Sequence, residues 1–376
     1  MTVKPIAGIT RALPFWLSLA LLPVLAFGAV QGGWSVLWVP VCTWFLFSII
    51  DVFAGLDNSS PDPQTPDAQL FWYRLITLVW FPLQCAMTFG LIWYASHSAH
   101  LGAWEKIGLF FGIGVINGTI GITYAHELMH QKSKVERWMA DLLLAMVFYS
   151  HFRSEHLLVH HRYVATPRDP VTARYNEGFH RYFPRVLVQC LRSSWNAEAA
   201  MLGRKGLSRW HRSNPFWRYG ALQAGFVVLA LLLGGWGGLA LLLWSGGVAI
   251  WQLELVNYVE HYGLTRRHLG GGKYEHVLPR HSWNASHRAS NWLLINLQRH
   301  SDHHYKPDRR FPLLQTYDDT EAPQLPHGYP VMTTLAMIPP LWRRRMNPRV
   351  RQWRRSHYPD ITDWQPYSKA TNPLPR

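Results

Sequence analysis

The chain has 376 residues, a formal charge of +15, 16% charged residues and 20 tryptophans. Long apolar runs alternating with strongly basic stretches exclude a set of soluble domains of this length and describe a polytopic membrane protein with a polar head. Three scattered cysteines, Cys42, Cys85 and Cys190, with no CxxC, exclude a disulfide framework and a cysteine-ligated iron centre within the chain.

A basic arm, residues 1–11 with Lys4 and Arg11, precedes the first apolar run, Leu13 to Val30. No A-x-A-like cleavage site follows, and a second run begins at Trp34 after Gln-Gly-Gly, which predicts a hairpin of two spans rather than a cleaved leader. The second run ends near Asp51 and Gly55; its bulky Trp44 and Phe47 could limit the depth of a substrate tunnel but are expected rather to pack against lipid. A Pro/Asp/Ser loop, Asp57 to Asp67, leads to a third run, Leu75 to Ala95, with Pro82 and Gly90 inside it. After a polar break at Ser96–Lys106, the glycine-rich fourth run, Ile107 to Ala125, delivers directly into His126.

Residues 131–214 are mostly polar and basic, apart from Trp138–Phe148, which is too short to span. Runs five and six, Phe216–Leu233 and Leu239–Val256, are joined by Gly-Gly-Trp-Gly-Gly, the signature of another hairpin. Beyond them lie a glycine loop (Gly270–Gly272), a short apolar piece at Val331–Leu341 expected at the interface, and a Pro/Arg-rich tail. The expected fold is therefore all-α and integral to the membrane. Four segments follow: residues 1–125 with transmembrane helices 1–4, a cytoplasmic segment 126–215, residues 216–258 with transmembrane helices 5 and 6, and a cytoplasmic segment 259–376. Six spans put both termini and a histidine-rich di-metal head on one side, and the basic excess makes that side the cytoplasmic face of the inner membrane. The same charge suits an anionic membrane surface first and an acidic electron carrier second; no nucleic-acid motif appears.

The chemistry sits in histidine clusters: His126 and His130; His156, His160 and His161; His261; and His300, His303 and His304. Spacings of three to five on helices bring such residues toward one face. Neutral imidazole suits zinc, copper, iron or nickel. Nine imidazoles exceed the four to six positions of one ion and ask for two metals. Glu127, Glu155, Asn257, Glu260 and Asp302, each in a cluster motif, are expected around the ligands as orienting or salt-bridging partners. The remaining histidines, among them His151, His281 and His287, lack the repeat and default to surface or loop roles. A competing reading takes His126-Glu-Leu-Met-His130 as a zinc-protease motif with Glu127 as base, but it leaves the other histidines idle. A channel or transporter would instead carry its polar residues at mid-span.

The clusters resemble the histidine boxes of the membrane-bound di-iron superfamily of desaturases, hydroxylases and monooxygenases. Asn257–Leu264 and Leu297–His304, with the two earlier boxes, closely resemble the alkane ω-hydroxylase (alkane 1-monooxygenase) family; Val159 stands where glycine is common there. The resemblance implies two non-haem irons bound by the nine histidines, dioxygen as co-substrate, and electrons from rubredoxin reduced by a NAD(P)H-dependent reductase. It implies hydroxylation of the terminal methyl of a medium-chain n-alkane to the 1-alkanol, the second oxygen atom ending in water. Fatty-acyl desaturases or hydroxylases and xylene-type monooxygenases are the rivals within the superfamily.

Overall fold

A computed structural model describes residues 6–364 and Tyr367; Lys4 of the basic arm and the end of the Pro/Arg-rich tail lie outside the described residues. Among the described residues the fold is helical, with three isolated β-bridges and no strand. Among the described residues five helices are long and apolar enough to cross a membrane: α1 (Ile9–Gln31), α2 (Gly33–Ala54), α3 (Asp67–His97), α4 (Ala103–Met129) and α8 (Pro215–His261). Each coincides with an apolar run expected from sequence, and α8 carries two of them.

At 47 residues, a straight α8 would measure roughly 70 Å, more than twice the thickness of a bilayer core. It is not straight. Gly235 adopts φ 58° and ψ −152°, a conformation open to glycine and costly for other residues. The chain folds back there so tightly that a Cβ on Gly238 would lie 2.8 Å from the carbonyl oxygen of Ala230. Eight residues of continuous helix would separate those levels by about 12 Å. The Gly-Gly-Trp-Gly-Gly segment is therefore a hairpin, and it divides α8 of the described residues into two apolar arms.

The arms pack through small residues. A Cβ on Gly114 of α4 would fall 2.5 Å from Val248 Cβ, and one on Gly118 would fall 2.7 Å from Gln252 Cβ, both on α8. In a bilayer, where apolar burial drives little helix association, such close backbone approach supplies van der Waals contact. Phe47 departs from the lipid-facing expectation: it is 4% exposed and belongs to the protein core. Trp44 is half-buried and meets Phe111 and Trp251 edge-on.

The polar segments fold over one end of these arms. Trp138–Phe148 falls largely within α5 (Lys134–Met146), capped by the Ser133 side chain. A short helical stretch, α6 (152–163), and the long α7 (Phe179–Gly203) follow before α8. After α8 come α9 (Arg288–Leu293), α10 (His300–Tyr305), α11 (Tyr329–Ala336) and α12 (Pro339–His357). Val331–Leu341 is divided between α11 and α12, with Met332, Thr333 and Ala336 buried. A second core of Tyr258, Tyr262, Trp342, Met346 and Val350 joins the end of α8 to α12. Polar ties complete the join: Asp51 at the end of α2 accepts from the backbone and hydroxyl of Ser290, at 2.9 and 2.7 Å, and Arg310 pairs with Glu136 of α5 at 2.9 Å.

Candidate metal centre

Nine imidazoles from four stretches of chain meet where the apolar arms join the polar head. α4 brings His126, with His130 just past its end; α8 brings His261 as its last residue; α10 brings His300, His303 and His304. α6 brings the other three in an unusual way. Its residues His156–His160 form a π-helical turn, and the His161 N–H bonds the His156 carbonyl five residues back. On a regular helix His161 would be turned about 140° from His156. The wider turn brings those two rings together, with Nε2 atoms 2.9 Å apart, and sends His160 the other way.

The result is two groups. His126, His130, His156, His161 and His303 form one; His160, His261, His300 and His304 form the other, and within each the candidate ligand atoms lie within 4.8 Å of one another. In the first, His156 Nε2 is 3.0 Å from His130 Nε2, and His161 Nε2 is 3.1 Å from His303 Nε2. In the second, His304 Nε2 is 3.0 Å from His300 Nε2 and 3.2 Å from His160 Nε2, and His300 Nε2 is 3.2 Å from His261 Nε2. The groups adjoin, with the His161 and His304 ring centroids 4.7 Å apart.

This arrangement fits metal ions. Ligand nitrogens about 2.1 Å from an ion sit roughly 3 Å apart when adjacent and roughly 4 Å apart when opposite. One N–H can satisfy one neighbouring lone pair, so a cluster of facing nitrogens cannot be closed by hydrogen bonds alone. His126 Nε2 is buried without a hydrogen-bond partner. Burial pushes the His130 imidazole down to about 3 and those of His156, His161, His300, His303 and His304 well below the usual range. Neutral imidazole is the ligating form.

All nine predicted ligands are thus gathered, and the family comparisons cover them. Residues 101–336 match the model of the family described as fatty acid desaturase. The chain is 39% identical to alkane 1-monooxygenase 2 of Alcanivorax borkumensis over 353 residues, 90% of each chain. It is 38% identical to alkane 1-monooxygenase 2 of Pseudomonas aeruginosa over 336 residues, 87% of this chain and 88% of that one. The chain belongs to the alkane 1-monooxygenase family. It is accordingly an oxidoreductase. A more distant relative is the xylene/toluene monooxygenase hydroxylase component of Pseudomonas putida, 28% identical over 332 residues, 87% of this chain and 85% of that one.

The predicted partners of the ligands of this alkane 1-monooxygenase family member are placed variously. Glu260 Oε2 lies 3.4 Å from His300 Nε2. Glu155 is fully buried, and neither carboxylate oxygen has a hydrogen-bond partner; burial first, then the carboxylates of Asp169 and Glu254, holds its pKa well above the usual range. Asn257 donates to Glu254 at 3.2 Å. Asp302 binds Arg309 at 2.5 Å, the Tyr317 hydroxyl at 2.7 Å and the Gln315 N–H at 3.0 Å, which braces α10 against the following loop. Glu127 accepts from Gln131 Nε2 at 3.0 Å and from the Phe311 N–H at 3.2 Å. A carboxylate engaged in this way, beside five gathered histidines, does not have the open surroundings of a protease base.

Sequence reasoning missed Asp169. Its Oδ2 lies 2.9 Å from His160 Nδ1 and accepts from the Thr172 hydroxyl at 2.7 Å. That contact fixes the ring so that Nε2 faces its group. Glu254 was missed as well; it is fully buried and accepts from Tyr149 at 2.7 Å and Tyr182 at 3.2 Å. His281 also departs from its surface or loop assignment: it is completely buried, 2.9 Å from the Tyr358 hydroxyl.

Proposed function

We propose that the chain hydroxylates the terminal methyl of medium-chain n-alkanes to 1-alkanols, using dioxygen at a pair of non-haem irons and electrons from a rubredoxin reduced by a NAD(P)H-dependent reductase. The observation that carries the reading is the division of nine imidazoles into two adjoining groups, one of five and one of four. An iron pair supplies, when bound, the reduction of dioxygen that makes an unactivated C–H bond reactive. His126, His130, His156, His161 and His303 would hold one ion, and His160, His261, His300 and His304 the other.

The rest of the task belongs to the protein. The chain offers no cysteine pair for electron storage of its own, its three thiols being separate and free, so electrons must come from outside. Its basic polar face suits an acidic carrier on electrostatic grounds. On the apolar side, a small crevice is lined by Trp44, Thr123, Leu253, Val256 and Leu297. Thr123 lies slightly less than one turn before His126, and Val256 slightly more than one turn before His261, so the crevice approaches the histidines from among the spanning arms. The rest of the lining adds the uncharged polar side chains of Thr43, Thr119, Gln252 and Thr333, so the crevice presents no charged group to the end of a hydrocarbon chain. Six spans with the histidines facing the cytoplasm of the inner membrane would let substrate enter from the lipid and electrons from the cytosol.

The test is metal quantification on the purified protein, followed by turnover of octane or dodecane with reduced rubredoxin. Two irons per chain and 1-alkanol as product are expected. Zinc in place of iron, or turnover of an acyl thioester or xylene with none of an alkane, would overturn the assignment.

A further inference from the structure

Away from the histidines, a cavity of about 350 Å³ opens where α1 and α3 begin and α9 packs beneath them. Arg11 of α1, Arg288 at the start of α9, and Arg299 all line it, facing one carboxylate, Asp57. Asp57 is already engaged: one oxygen accepts from the Ser59 hydroxyl at 2.5 Å, and the other lies 3.8 Å from Arg299. Arg11 and Arg288 are exposed, and among the described residues neither has a carboxylate partner within ion-pair distance. Two polar atoms of the lining are buried without a hydrogen-bond partner: Arg299 Nε, on a residue 6% exposed, and Asn291 Oδ1, on a residue 4% exposed. A buried polar atom left unpaired marks a place where a ligand or water belongs.

The position of the cavity says what kind of ligand. It lies at the level where the first and third apolar helices start, and the half-buried ring of Trp292 lines it; tryptophan favours the headgroup zone of a bilayer. Just beyond, α1 turns Ile9, Leu13 and Leu17 outward, 48%, 60% and 36% exposed, an apolar track beside a cationic cup. Guanidinium groups recognise phosphate oxygens by paired hydrogen bonds. Basic pockets between spanning helices characteristically take anionic lipid headgroups.

We propose that this cavity binds the phosphate-bearing headgroup of an anionic phospholipid, with Arg11 and Arg288 closing on the phosphate and the acyl chains lying along Ile9, Leu13 and Leu17. The ligand chemistry, a phosphate anion, is shared with free phosphate; the apolar track favours the lipid. The site is separate from the histidine groups and does not depend on the reaction assigned to them.

The test uses the full chain in nanodiscs of equal phosphatidylglycerol and phosphatidylcholine, extracted into detergent and weighed intact by native mass spectrometry. Wild type is expected to retain phosphatidylglycerol over phosphatidylcholine, and millimolar inorganic phosphate is expected not to displace it. The double variant Arg11→Gln/Arg288→Gln should lose that preference roughly tenfold or more. The control Arg344→Gln/Arg345→Gln, on basic helix α12, should keep it. Equal retention of the two lipids by wild type overturns the proposal without reference to any variant. So does an undiminished preference in the Arg11/Arg288 pair, or displacement by inorganic phosphate, which would assign the cup to the free anion.

Discussion

The backbone N–H of His161 bonds the carbonyl of His156 five residues back, and this one wide turn decides which imidazole serves which group. His160 and His161, adjacent in sequence, belong to different groups because of it. Replacing His161 by Ala leaves four imidazoles in its group, whereas replacing His160 leaves three. Both variants should lose alkane hydroxylation, but His160→Ala should lose close to one metal per chain while His161→Ala retains more. Metal analysis of the two purified variants checks this; equal loss of both ions from either would contradict independent groups.

Asp169 tests the orientation of a single ring. Its carboxylate lies 2.9 Å from His160 Nδ1, and Asp169→Asn keeps the shape while removing the charge that favours the Nδ1–H tautomer. A loss of about 10–100-fold in metal affinity or turnover is expected, with the four-histidine group depleted first. Metal titration of the variant would show the opposite, an unchanged affinity, if the contact served only packing.

The contrast between Asp169 and the carboxylates beside the ligands shows what a sequence can carry. Ligand types at three- and four-residue spacing expose the metal chemistry directly, because those spacings are contacts on a helix. Glu127, Glu155, Glu260 and Asp302 are each one residue from a histidine, and on a helix such neighbours point about 100° apart. Asp302 accordingly turns to Arg309 and Tyr317, and Glu260 reaches His300 on another element rather than its neighbour His261. Asp169 stands in a loop with no periodicity to announce it. The apolar arms were legible as runs, but their lipid faces were not: lipid is as apolar as a protein core, so hydropathy places Phe47 equally well in either.

The approach of α4 to α8 sets the position of His126 relative to His261. A Cβ on Gly118 would lie 2.7 Å from Gln252 Cβ and 2.8 Å from the Ala249 carbonyl oxygen, and backbone cannot step aside. Gly118→Ala should destabilise the fold by about 1–3 kcal/mol and lower activity by displacing the end of α4. Gly247→Ala on α8, where a Cβ meets nothing within 4 Å, should leave both unchanged. Thermal unfolding in detergent, alongside turnover, compares the two.

The head should weaken in acid through His281. Its Nδ1 accepts from the Leu278 N–H at 2.9 Å, and its Nε2 faces Glu275 at 3.2 Å and the Tyr358 hydroxyl at 2.9 Å. A second proton would have to enter at Nδ1, against that N–H, in a fully buried ring. Burial accordingly pushes its pKa down to about 4, against the attraction of Glu275. With a folded pKa below the unfolded value near 6.5, this contribution is complete above pH 6.5 and is lost as pH falls through about 4. The span corresponds to at most roughly 3 kcal/mol. Glu275 is also held below its usual range, so its contribution fades in the same direction, at the acid end of the window. His281→Gln should be less stable than wild type at pH 7.5, and the difference should shrink toward pH 4.5. Paired denaturant unfolding curves across that range give the measurement, and a gap that stays constant with pH would show that the His281 proton is not what the head loses in acid.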